Sequence, residues 1–119
     1  MLNPLGKALR KLRIDRGWLL KDMAQGAGVA TSFLSGIETG RKAVPAGLVE
    51  KIAAWAALSN DELNSLRHAA MTSQREFKIT VRPDFSDGDR EAAALLARFG
   101  ELPREERDNL HLLLKKSFG

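Results

Sequence analysis

The sequence predicts a mainly α chain in the order five helices, one strand, two helices. Three observations carry that reading. Apolar residues recur at helical spacing through most of the chain, as with Leu5, Leu9 and Leu12. Glycines and capping residues punctuate those patterns at short intervals. One stretch, "EFKITVRP" at 76–83, alternates apolar and polar residues with the period of a strand.

The first helix carries Leu5, Leu9, Leu12 and Ile14 mostly on one side and ends near Gly17. A short second helix runs from Leu20 to Ala27 and turns Met23 and Ala24 inward. Gly26 and Gly28 bracket its end, where glycine readily takes a left-handed conformation. A third starts at Thr31, buries Leu34 and Ile37 three residues apart, and stops at Gly40. "VPAGLVEKIAAWAAL" reads as a fourth, with Leu48, Ile52 and either Trp55 or Ala56 buried and Pro45 suited to the first turn. "SNDE" at 59–62 is a capping box that opens a fifth helix through about His68.

The character then changes. Phe77, Ile79 and Val81 alternate with Lys78, Thr80 and Arg82, and Pro83 stops the run. "SDGDREAAALLARFG" and "PREERDNLHLLLKKSFG" follow as two helices. Both open acidic, and the last closes on Lys115 and Lys116, in keeping with the helix dipole. Two domains are expected: 1–73, and an extension over 74–119. A lone strand needs partners for its backbone groups. A second copy of the same strand, from a two-fold mate, would supply them. An extended segment bonded to water, or lying along its own helices, would satisfy them as well.

Charge is distributed unevenly. Residues 1–73 hold ten Lys/Arg against six Asp/Glu, whereas 74–119 hold nine of each. The whole net charge of +4 therefore sits in the first part, which points to a polyanion there and to protein contacts in the neutral part. No apolar run approaches the roughly 18 residues of a membrane span. The N-terminus lacks the apolar core of a targeting signal. The absence of cysteine is compatible with the cytoplasm, where the protein is expected to act.

One constellation has positional logic. Counted from Leu20, Ala24 is fifth, Gly28 ninth, Leu34 fifteenth and Ile37 eighteenth, with Met23 and Val29 also apolar. Ala24 is small where two short helices cross, Gly28 makes a turn that a side chain would obstruct, and Leu34 and Ile37 line the inner face. With these residues "LRIDRGWLLKDMAQGAGVATSFLSGIETGRKAVP" resembles the helix-turn-helix of the Cro and phage-repressor (XRE) family, over roughly residues 5–70.

The resemblance implies a five-helix DNA-binding domain whose helix from Thr31 enters the major groove of double-stranded DNA. Thr31, Ser32, Ser35 and Gly36 would face outward, their short side chains allowing close approach. Arg41, Lys42 and Lys21 would grip phosphate. Phe33 would belong to the core or pack on thymine methyls and sugar. Arg13 and Glu38 match a framework ion pair of the family. The usual Gln at the start of the supporting helix is Leu20 here, within an apolar "GWLLKD". Those residues would pack under the extension or form a patch for a partner.

Function follows as a repressor acting as a homodimer on a two-fold operator, with half-sites roughly 34 Å apart. A second reading is an antitoxin that represses its own operon and binds a toxin through 74–119. The residues concerned in either case are Phe77, Ile79, Val81, Leu95, Leu96, Phe99 and Leu113. Enzyme chemistry is not expected, because no nucleophile, base and orienting group converge. His68 and His111 lack neighbours at metal spacing, and "REERD" at 104–108 reads as a solvated helix start, so no metal or cofactor is expected.

Overall fold

The computed structural model describes all of residues 1–119 and contains helices only. They are α1 (Pro4–Arg16), α2 (Leu20–Ala27), α3 (Thr31–Glu38), α4 (Leu48–Ala56), α5 (Asn60–Thr72), α6 (Asp87–Leu96) and α7 (Arg104–Phe118), with a short 3-10 turn at Phe99–Glu101. The chain divides into two compact units, Met1–Phe77 and Lys78–Gly119. No helix is long and apolar enough to cross a membrane.

Local chemistry sets the ends of the first unit's helices. The Asn3 side chain accepts the Gly6 N–H at 2.7 Å to open α1, with Pro4 in the first turn. At α2 only half a capping box forms: Asp22 accepts the Leu19 N–H at 2.8 Å, and Leu19 has no acceptor to return. Ser59 and Glu62 form a full box at α5, with bonds of 3.2 and 3.0 Å. Those bonds, from the Ser59 backbone first, hold the Glu62 carboxyl below its usual range.

The core of this unit is built from every one of its helices. Leu5 and Leu9 of α1 meet Met23, Ala24 and Ala27 of α2, and Leu34 and Ile37 of α3. Leu48, Val49 and Ile52 of α4 and Leu66 of α5 close it. Ile14 does not join them. It lies on the outer side of α1, and the buried residue on that turn is Arg13.

Two close approaches have no signature in the sequence. A Cβ on Gly6 would run into the Glu38 backbone, so α1 and α3 touch main chain to main chain there. A Cβ on Gly26 would enter the Trp55 ring, so α4 reaches α2 closely there. Gly28 behaves differently from its expected role. Nothing lies within 4 Å of where its Cβ would be, and its φ of 71° is what calls for glycine.

The strand expected over Phe77–Val81 does not form. Residues 76–81 hold no regular structure, and no backbone group among them makes a hydrogen bond. Phe77, Ile79 and Val81 are all exposed. Alternation of apolar residues describes a face, whereas a strand exists only as a hydrogen-bonded ladder. This chain supplies no second strand, so the alternation has nothing to pair with.

The second unit contains α6 and α7. Ser86 and Asp89 cap α6 reciprocally, at 3.0 and 2.9 Å. Neither helix buries a single residue.

Candidate nucleic-acid interface

The site is organised by how α3 is held. Its final residue, Glu38, is buried and bonded to Arg13 of α1 through both guanidinium ends, at 2.5 and 3.0 Å. Arg13 also lies 3.4 Å from the Met23 sulfur, which ties in α2. Asn3 completes the hold. Its N–H donates to the Glu38 carbonyl and its side-chain amide to the Ile37 carbonyl, both at 2.8 Å. Carbonyls at the end of a helix are thereby satisfied by a residue far earlier in the chain, 34 positions before Ile37.

The chain then wraps back onto α3. The N–H groups of Arg41 and Lys42 both donate to the Gly36 carbonyl, at 2.8 and 3.0 Å. Gly40, with φ 80°, permits that reversal. The turn leaves the Arg41 and Lys42 heads exposed beside the end of α3, and neither forms an ion pair.

A family model of a helix-turn-helix domain matches residues 4–66, more than half of the chain. The chain belongs to the helix-turn-helix domain family. No curated protein and no solved structure matches it.

The two helices of this helix-turn-helix are α2 and α3, joined by the turn at Gly28–Ala30. Thr31 and Ser32 stand exposed at the start of α3, and Ser35 is half-buried. Phe33 packs against the core. Lys21 is exposed in the first turn of α2. Gly36 is not on the outer face. It is buried beneath the Lys42 stem, whose Cγ lies 2.8 Å from the place a Cβ would take. Spacing along a helix locates a face, but the loop that folds over that face comes from outside the helix.

The apolar "GWLLKD" segment packs largely within its own unit. Trp18 packs inside its own unit against Trp55 of α4, with ring centroids 4.4 Å apart and planes tilted by 46°. Arg16 lies over the outer Trp18 face, 5.6 Å from its centroid. Leu20 packs against the core. Leu19 alone stays largely exposed.

Proposed function

We propose that this helix-turn-helix protein is a transcription regulator of the Cro and phage-repressor type. It acts in the cytoplasm as a repressor and binds a two-fold operator as a homodimer. The observation that carries the DNA reading is the surface around α3. Thr31 and Ser32 are free to meet base edges, while Lys21, Arg41 and Lys42 lie on the supporting helix and the turn with no carboxylate partner. Hydroxyls and methyls read bases without bidentate bonds. Specificity of this kind leans on phosphate grip and DNA shape.

The dimer reading rests on the second unit and no longer on strand pairing. That unit lacks buried residues, yet it exposes Leu95, Leu96, Phe99, Leu112, Leu113 and Phe118. A helix pair of this size has too little core to stand alone. A second copy laid on α6 and α7 would cover those side chains. An antitoxin remains the second reading because of one feature of the same unit. A recess of about 640 Å³, bordered by Leu95, Leu96, Phe99, Leu110 and Leu114, would admit an apolar side chain of another protein.

The test is selection of duplexes from a randomised pool with the full-length chain, followed by sedimentation of the free protein. Enrichment of an inverted repeat with half-sites about one helical turn apart, by a protein that sediments as a dimer, is the expected result. Failure to enrich any duplex at low salt would overturn the DNA reading. A full-length monomer that becomes a defined complex with the product of an adjacent gene would transfer the second unit to toxin binding.

A further inference from the structure

We infer that Arg75 is a phosphate-contacting residue of this DNA-binding surface, acting together with Arg41 and Lys42. The inference rests on the DNA-binding reading above. Arg75 lies outside the residues matched by the family model, beyond the end of α5. The fold returns it to the turn after α3. One guanidinium nitrogen lies 3.2 Å from the place a Cβ on Gly40 would occupy, so the planar group rests against that glycine.

Its surroundings say what it is available for. Arg75 and Lys42 border a recess of about 340 Å³ together with Asn3, Gly40, Ser73 and Glu76. Of the three neutral polar side chains there, Asn3 and Ser73 are already engaged, whereas Gln74 makes no side-chain hydrogen bond. Asn3 accepts from the Gly6 N–H and donates to the Ile37 carbonyl. Ser73 accepts from the Leu5 N–H at 2.9 Å and donates to the Ala69 carbonyl at 2.7 Å. A small molecule would find few directed partners among them. The charged ends differ: neither Arg75 nor Lys42 forms an ion pair, with Glu76 or with any other carboxylate. Two unpaired cations beside the end of α3, with Arg41 next to them, match a run of backbone phosphates. The guanidinium fork suits phosphate oxygens in particular.

The experiment measures binding of the full-length chain against salt concentration, on a duplex enriched from the randomised pool and on a mixed-sequence duplex of equal length. The slope of log K against log salt should become shallower by about 0.9 in Arg75→Ala and stay unchanged in Arg75→Lys, which retains the charge. The ratio of affinities for the two duplexes should hold constant, because phosphate contacts carry no sequence information. A wild-type slope in Arg75→Ala, beside a reduced slope in Arg41→Ala, would overturn the inference and leave the DNA reading standing. Absence of salt-dependent binding by the wild type would defeat both. Inorganic phosphate that binds the wild type and not Arg75→Ala, while Arg75→Ala keeps the wild-type salt slope on DNA, would mark a small-anion site and would overturn the proposal.

Discussion

Arg13 and Glu38 form a buried, two-pronged ion pair that fastens the first helix to the last residue of the third. The pair sits at the point where α3 gives way to the turn that carries Arg41 and Lys42. Its geometry therefore positions charged groups that it never touches. A charge left behind in that site would find little water to solvate it.

We expect Arg13→Ala to destabilise the fold by about 3–5 kcal/mol, because Glu38 would remain buried without a counter-ion. The double substitution Arg13→Met with Glu38→Leu should recover most of that loss, since it removes both charges and keeps apolar volume. Chemical denaturation of the three chains checks both expectations. A single variant as stable as the wild type would mean that the pair contributes no hold on α3.

Two glycines should respond in opposite ways to the same change. Gly6→Ala drives a methyl into the Glu38 backbone, which has nowhere to move, and we expect a loss of about 1–3 kcal/mol. Gly36→Ala meets only the Lys42 stem, which can swing away, while alanine favours the helix by about 0.5–1 kcal/mol. Stability should hold or rise in that chain, and DNA binding should weaken as Lys42 is displaced. Thermal melts beside binding isotherms separate the two effects.

Arg41→Ala and Lys42→Ala should each lower affinity for every duplex and flatten the salt slope by about one unit. Thr31→Ala and Ser32→Ala should change the ranking among duplexes with little effect on the slope. Exchange of these two patterns would mean that α3 does not face the groove.

Residues 78–119 lack a core of their own, so Leu113→Asp should separate a dimer into monomers without altering the melting of residues 1–77. Its operator affinity should fall steeply while its affinity for a single half-site stays constant. Sedimentation and half-site titration measure the two quantities. A Leu113→Asp chain that remains dimeric would remove α7 from the interface.

Much of the first unit is legible along the chain because the physics involved is local. Leu5 with Leu9, and Leu34 with Ile37, mark inner faces by spacing. Ser59 with Glu62 marks a helix start, and Gly28 marks a turn. Arg13 and Glu38 were recognisable only through a family resemblance, since nothing near either residue shows that they meet across 25 positions.

The sequence by itself determined the number and order of the helices, the helix-turn-helix register and the concentration of positive charge in residues 1–73. Each follows from spacing or capping within one element, or from composition. Tertiary structure alone decided that Gly36 lies under Lys42, that Trp18 stacks on Trp55, and that Arg75 returns to Gly40. It also decided that "EFKITVRP" forms no strand, because a ladder needs a second strand that periodicity cannot provide. In each case the deciding neighbour lies outside the element that carries the signal, and a pattern within one element holds no record of what folds against it.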